Sequence, residues 1–162
     1  MERKHKTARK ARAPKARLEA HVFVSLLRTA DALTRGADAL LKPFGLSGTQ
    51  YNVLRILRGA GECGLACREI GGRLISRDPD ITRLLDRMES RGLIARAREE
   101  KDRRVVKTRI TADGLRILHG LDEPVQELHR RQLHGLPAKQ LRQLSLLLER
   151  ARAQVEAPDA PK

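Results

Sequence analysis

Aromatic residues are almost absent from the sequence, which contains two Phe, one Tyr and no Trp in 162 residues. Proteins that bind single-stranded nucleic acid usually stack the bases on aromatic side chains, so this scarcity argues against that mode of binding. Recognition of a duplex requires no aromatic platform. The scarcity therefore leaves double-stranded nucleic acid as a candidate partner.

Cysteine is equally scarce, because the chain has only Cys63 and Cys67. Two cysteines do not make a disulfide framework, and in a reducing compartment we expect free thiols. Their C-x3-C spacing and the scattered histidines match no closed zinc site, so we predict neither a metal nor a cofactor. Cys67 begins a short predicted helix, where a thiolate is favoured, and this keeps thiol-based redox sensing open as an alternative.

Long apolar runs are missing too, since no stretch approaches the ~20 apolar residues of a membrane-spanning helix. The N-terminus lacks the apolar stretch of a secretory signal. These features predict a cytoplasmic protein with no membrane partner. The sequence also lacks HExxH, a phosphate-binding glycine loop and a nucleophile elbow, so we predict no enzyme and no catalytic residues.

Basic residues, in contrast, are abundant. The chain has 34 Lys and Arg against 20 Asp and Glu, a formal net charge of +14 and an isoelectric point near 10.9. Such an excess favours a polyanionic partner. The charge is dense in residues 1–17, "MERKHKTARKARAPKAR", which we predict to be a disordered basic arm. Residues 156–162 are predicted to be a tail.

Apolar periodicity predicts six helices between the arm and the tail. The first spans about 18–42, and the second follows Ser47, a predicted N-cap. A short helix, "CREIGGRLI", precedes "SRDPDITRLLDRMESRGL", where Asp78 is the predicted cap and Pro79 the first helical residue. Thr111 is predicted to cap a fifth helix, and Pro137 opens the sixth.

Between the fourth and fifth helices the period changes. In "LIARAREEKDRRVVKTRIT" the residues alternate on both sides of a polar turn, "EEKD", which predicts a two-stranded hairpin. The predicted fold class is therefore mainly α with a small β-hairpin. A helix-turn-helix followed by a hairpin is a winged helix-turn-helix arrangement, in which the second helix fits a DNA major groove and the hairpin tip reaches the minor groove.

This arrangement predicts two groups of candidate DNA-binding residues. The predicted recognition helix presents Arg77, Asp80, Thr82, Arg83 and Arg87, and the wing presents Lys101, Asp102, Arg103 and Arg104. We expect the Asp102 carboxylate to orient Arg104. Which recognition-helix residues read bases and which hold phosphates stays open. In the competing interpretation, Arg83 and Arg87 form ion pairs with Asp80 or Asp86 on the helix surface.

The stretch "PDITRLLDRMESRGLIARAREEKDRRVVKTRITADG" resembles the recognition helix, wing and following helix of the MarR family of transcriptional regulators. Asp102 and Arg104 match the Asp-x-Arg of the family's wing, and Thr111 and Gly114 match its Thr-x-x-Gly helix start. Ala66 departs from the family pattern, because many members have a capping Ser or Thr there.

The resemblance implies a regulator domain over about 18–155. Its winged helix-turn-helix core would span about 47–111, and its dimerisation helices about 18–42 and 112–152. It further implies a homodimer that binds a pseudo-palindromic operator in double-stranded DNA, with Arg104 in the minor groove. Most members are repressors released by a small effector, often an aromatic or lipophilic anion. Two alternatives stay open: a non-specific or architectural duplex-binding protein, and a redox-sensing regulator that acts through Cys67.

Overall fold

The structure is a computed structural model that describes residues 5–76, 78–99 and 104–156, with side chains from residue 16 onward. Six α-helices and three β-strands occupy these ranges. In chain order they are α1 (His5–Leu41), α2 (Gly48–Ala60), β1 (Leu65–Ala66), α3 (Cys67–Arg73), α4 (Ile81–Ser90), β2 (Ile94–Arg98), β3 (Val106–Ile110), α5 (Ala112–Leu133) and α6 (Ala138–Glu156). The predicted fold class is confirmed.

The chain divides after Val125 into two units. The hydrophobic core lies in the first unit, where the apolar stripes of α2, α3, α4 and α5 meet the sheet. Its fully buried members include Leu54, Leu57, Ile70, Leu85, Met88, Ile94, Leu118 and Leu121. The predicted apolar stripes of α2 and α4 are the faces that are buried, because a helix with one apolar stripe gains most free energy by packing that stripe inward.

The hairpin forms as predicted, with Ile94 opposite Ile110 and Arg98 opposite Val106. A third strand, β1, was not predicted; it pairs with the other edge of β3 through Leu65 and Ala66. The sheet therefore has three antiparallel strands, in the order β1-β3-β2. A two-residue strand has no detectable alternation of its own, so only its partner across the sheet defines it.

Two predicted helix starts have the expected caps. The Ser47 hydroxyl accepts a hydrogen bond from the Gln50 N–H at 3.2 Å, and the Gln50 side chain accepts one from the Ser47 N–H at 3.0 Å. At α5 the Thr111 hydroxyl accepts from the Gly114 N–H at 3.1 Å and donates to the Gly92 carbonyl at 2.6 Å. Both capping residues satisfy N–H groups that a helix start leaves unpaired.

The first helix begins earlier than predicted. Residues 5–17, expected to be part of a disordered arm, form the N-terminal part of α1. Ala, Lys and Arg have high helix propensity, whereas the prediction of disorder rested on the charge of this segment. Residues 1–4 of the arm, like residues 157–162 of the predicted tail, lie outside the described residues.

Apolar side chains remain exposed on α1 and, in the second unit, on α6. On α1 they are Leu18, Val22, Phe23, Val24, Leu26 and Leu27, and on α6 they are Leu144, Leu146, Leu147 and Leu148. Together with α5, these helices form the segments, about 18–42 and 112–152, that the family resemblance assigned to dimerisation. Over the described part of the chain, no helix combines the length and the apolar character needed to cross a membrane.

Hydrogen bonds from Arg91 connect the segment that follows α1 to the C-terminal end of α4. A short 3-10 helix, Lys42–Phe44, ends at Gly45, whose φ of 63° lies in the left-handed region that glycine adopts readily. The Arg91 guanidinium, just after α4, donates through Nη1 to the Gly45 carbonyl at 2.7 Å and through Nη2 to the Phe44 carbonyl at 3.4 Å. The corner between α1 and α2 therefore lies against the C-terminal end of α4.

Candidate nucleic-acid interface

The start of α4 differs from the prediction by two residues. Asp80, and not Asp78, is the N-cap, because its carboxylate accepts a hydrogen bond from the Arg83 N–H at 3.4 Å. The Asp78 carboxylate instead accepts from the Asp80 N–H at 2.9 Å, two residues ahead. Such a contact closes an Asx turn, which brings the chain to the helix start without being part of it.

The solvent-exposed face of α4 carries four predicted candidates. Asp80, Thr82, Arg83 and Arg87 are exposed, while Leu84, Leu85 and Met88 point into the core. Arg77, the fifth candidate, lies outside the described residues. The helix thus presents two arginines, one turn apart, on a face that makes no contribution to the core.

The competing interpretation, surface ion pairs, applies to one of these arginines. Arg83 Nε lies 3.2 Å from Asp80 Oδ2, with the two side chains 79% and 50% exposed. A pair this exposed contributes at most about 1 kcal/mol, so Arg83 can exchange it for a phosphate or a base. Asp86 pairs with Arg96 of β2, and not with Arg83 or Arg87 as that interpretation supposed.

The wing is the hairpin of β2 and β3. A hydrogen bond of 2.8 Å from the Glu99 N–H to the Val105 carbonyl extends the strand pairing one step toward the tip. Lys101, Asp102 and Arg103 lie outside the described residues, and with them the predicted contact between Asp102 and Arg104. Arg104 is described: it is exposed and lies two residues before β3.

Arg96 of β2, which was not among the predicted site residues, links the wing to α4. The Arg96 backbone N–H donates to Glu89 Oε1 at 2.9 Å, and its guanidinium donates to Glu89 Oε2 through Nε at 2.8 Å and Nη2 at 2.5 Å. Nη2 also lies 2.6 Å from Asp86 Oδ1. The hydrogen bonds from Arg96 hold the pKa of Glu89 below its ordinary value, and those to both carboxylates raise the pKa of Arg96.

The short helix α3 obtains its N-terminal cap from within. Ala66 has no side-chain acceptor, but the Glu69 carboxylate accepts a hydrogen bond from the Ala66 N–H at 2.7 Å. Glu69 also pairs with Lys107 Nζ of β3 at 3.2 Å. The Ala66 N–H, and next Lys107, lower the pKa of Glu69. Although Ala66 replaces the usual Ser or Thr, the start of α3 is therefore still stabilised, because the side chain of Glu69, three residues later, accepts the Ala66 N–H.

The two cysteines lie just before α3 and at its first residue. Cys63 is exposed and Cys67, the first residue of α3, is partly buried against the core, and both are free thiols. Within the ranges that the structure describes, no three His, Cys, Asp or Glu side chains come close enough together to hold a metal ion. The redox alternative through Cys67 stays a prediction.

Comparison with known proteins gives a consistent picture. The sequence model of the MarR family matches residues 46–106, from the cap of α2 to the start of β3. The chain is 33% identical to the HTH-type transcriptional repressor IacR of Pseudomonas putida over 133 residues, covering 82% of this chain and 78% of that protein.

Solved structures agree with the sequence comparisons. A MarR transcription factor from Planctomyces limnophilus is 42% identical, with a TM-score of 0.64, and the match covers 80% of this chain and 94% of that one. A mutant MarR from E. coli complexed with operator DNA is 26% identical, with a TM-score of 0.73 and coverage of 80% and 92%. By its sequence and by its winged helix-turn-helix fold, this chain belongs to the MarR family and is a DNA-binding transcriptional regulator.

Proposed function

We propose that the protein is a homodimeric, sequence-specific regulator in which α4 of each subunit enters the major groove of one operator half-site. The proposal is supported mainly by one observation: two exposed basic groups, here called the two probes, lie on one folded unit. Thr82, Arg83 and Arg87 lie on the outer face of α4, and Arg104 lies in the adjacent wing. A helix fits the wide major groove, and a single long side chain fits the narrow minor groove.

The proposed division of labour follows from side-chain chemistry. Arginine can form a bidentate contact to guanine O6 and N7 or hold a phosphate, and threonine can contact a thymine methyl. Arg77 and the wing residues Lys101, Asp102 and Arg103 belong to the same proposed surface. Asp80 has a structural role as the cap of α4, so we expect it to orient the helix start in addition to any contact with cytosine.

The dimer is the second part of the proposal. Apolar side chains are exposed on α1 and on α6, and exposed apolar patches of this kind mark protein interaction sites. We assign about 18–42 and 112–152 to dimerisation and about 47–111 to DNA binding. A symmetric dimer presents two α4 helices to successive major grooves, which explains a pseudo-palindromic operator.

We further propose repression and release by a small aromatic or lipophilic anion. IacR of Pseudomonas putida is a repressor, and the family resemblance implies an effector. The protein would act by binding and not by catalysis, in the cytoplasm, where its DNA target is. A thermal-shift screen of small aromatic acids tests the effector, because a ligand that binds only the folded state raises the melting temperature.

Operator selection tests the proposed function. Duplexes recovered from a random pool by the wild-type protein should share a pseudo-palindrome, and this sequence should be preferred over random duplex by well above about tenfold at physiological salt. Fluorescence anisotropy with random competitor measures the preference. A preference below that level would favour the second candidate function, a non-specific architectural duplex binder, which the net charge of +14 equally supports.

A further inference from the structure

Two carboxylates lie on the recognition helix of a protein that binds a polyanion. Glu89 and Asp86 are on α4, beside the arginines proposed to meet DNA. Negative charge on this helix opposes the approach of phosphates, so by electrostatics alone each carboxylate weakens binding. Both carboxylates nevertheless converge on one residue of the wing, Arg96.

The geometry of this contact is that of a rigid link. Arg96 uses its backbone N–H and two guanidinium nitrogens on Glu89, at 2.9, 2.8 and 2.5 Å, and Nη2 also lies 2.6 Å from Asp86. Its side chain is only 27% exposed, and that of Glu89 is 35% exposed. A planar guanidinium bound at two nitrogens fixes both distance and angle, which a lysine ammonium does not.

The apolar contacts between α4 and β2 do not provide this angular restraint. Met88 of α4 and Ile94 of β2 are fully buried in the core, but apolar burial is non-directional and favours any arrangement that excludes the same area from water. The Arg96 contact supplies the directional part, because its hydrogen bonds weaken steeply when their angles change.

We propose that Arg96 is a positioning residue for DNA recognition: held by Glu89 and Asp86, it fixes the wing at one angle to α4, so that both probes meet their grooves together. The inference rests on the proposed function, because it requires that α4 and the wing bind the same duplex. This role of Arg96 explains why α4, a helix proposed to bind negatively charged DNA, carries the two carboxylates of Glu89 and Asp86.

Glu89→Gln distinguishes a pure charge effect of Glu89 from a positioning role, because the two predict opposite changes in operator binding. If only charge mattered, removing a negative charge would tighten binding to operator and to random duplex alike. If Glu89 holds Arg96 in place, operator binding should weaken by about tenfold, since charged hydrogen bonds are lost, while random-duplex binding stays level or tightens. The ratio of the two affinities, measured by fluorescence anisotropy, is the readout.

Arg96→Lys changes the geometry without changing the charge. We expect it to lower the preference for operator in the same direction as Glu89→Gln, because the ammonium cannot reproduce the fork. Arg35→Lys on α1 is the matched control: Arg35 pairs with Asp31, and its side chain is 69% exposed. Because Arg35 lies in the segment assigned to dimerisation, this control should leave the preference unchanged once sedimentation shows an intact dimer. Thermal unfolding and sedimentation of each variant confirm that fold and oligomeric state are retained.

A double-mutant cycle separates positioning from general destabilisation. Arg83→Ala and Arg104→Ala, one on each probe, should be energetically coupled in operator binding by the wild-type protein, because the two probes are rigidly joined. In the Glu89→Gln background this coupling should disappear. If the wild-type protein shows no operator preference, the proposed function fails. If it does, but the coupling and the preference survive both Glu89→Gln and Arg96→Lys, the positioning inference fails.

Discussion

Gly114, the third residue of α5, has no room for a side chain. A β-carbon built there would meet the Leu93 carbonyl oxygen and would lie 2.8 Å from Ile110 Cγ1, both well inside normal contact distance. The glycine thus lets α5 begin directly against the wing, where Thr111 caps it. The Thr-x-x-Gly pattern that supported the family resemblance has a physical reason here: a cap and a close approach, three residues apart.

Gly114→Ala and Gly120→Ala should change stability in opposite directions. Alanine at position 114 collides with backbone, and such overpacking typically costs about 1–3 kcal/mol, more than the ~1 kcal/mol gained in helix propensity. Position 120, on the same helix, has nothing within 4 Å of a built β-carbon, so alanine there should be stabilising. Urea unfolding at one fixed protein concentration measures both. Equal effects from the two variants would contradict the packing argument.

Arg104 is the residue of the wing on which the minor-groove proposal depends. Arg104→Ala should weaken operator binding and relax the preference for A·T pairs at the operator flanks, because a narrow A·T-rich minor groove attracts arginine. Anisotropy titrations with operators whose flanks are A·T or G·C test this. Arg35→Ala removes the same charge from α1 and should alter neither result. Unchanged affinity in Arg104→Ala would remove Arg104 from the interface.

At the scale of elements, α2 and α5 are joined within the first unit by an ion pair in which one guanidinium nitrogen contacts both carboxylate oxygens. Arg58 Nη1 lies 2.9 and 2.8 Å from the two oxygens of Asp122. The hydrogen bond from Arg58 holds the pKa of Asp122 below its ordinary value of 3.8 and raises the pKa of Arg58. This pair connects a helix of the DNA-binding core to the helix that leads out of it.

The Asp122 pair predicts an acid dependence of stability. Because its pKa is lower in the folded chain, the stabilisation is present above the ordinary value of 3.8 and is lost as pH falls through the folded value. Wild-type protein should therefore lose more unfolding free energy between pH 5 and pH 3 than Asp122→Asn, by less than about 1 kcal/mol because both groups are partly exposed. Arg58→Gln should flatten the dependence equally. An unaltered pH dependence in Asp122→Asn would refute this assignment.

The sequence predicted the elements that depend on interactions between neighbouring residues, and it did not predict those that depend on residues brought together by the fold. The helices α2 and α4 and the hairpin have local signatures: a cap at Ser47, an apolar stripe, an alternating pair of strands. The strand β1 has none, because Leu65 is defined only by its partner Thr108, 43 positions away. The contact of Arg91 with Gly45, 46 positions away, was missed for the same reason. The partners of Arg96 are nearer in sequence, but they lie on a different element, α4, whose orientation to β2 the sequence does not show. From the sequence alone, each of these two arginines is expected to be a basic surface residue, and its partners become apparent only in the fold.

At the scale of the whole molecule, positive charge is unevenly distributed along the chain. Residues 1–17 contain eight Lys and Arg and one Glu, a net +7, which is half of the formal +14. Residues 18–162 carry the other +7, from 26 basic and 19 acidic residues. We therefore expect residues 1–17 to contribute to sequence-independent attraction to DNA, and α4 and the wing to provide sequence-specific recognition.

Deleting residues 1–17 should separate these two components. We expect weaker binding to random duplex and a smaller slope of log affinity against log salt, because each lost phosphate contact lowers the slope by about 0.9 for duplex DNA. The preference for operator over random duplex should be retained, since α4 and the wing are untouched. A matched variant that keeps the length but replaces the Lys and Arg of this segment with Gln distinguishes charge from chain length. A salt slope identical to that of the full chain would show that the segment makes no contact with DNA.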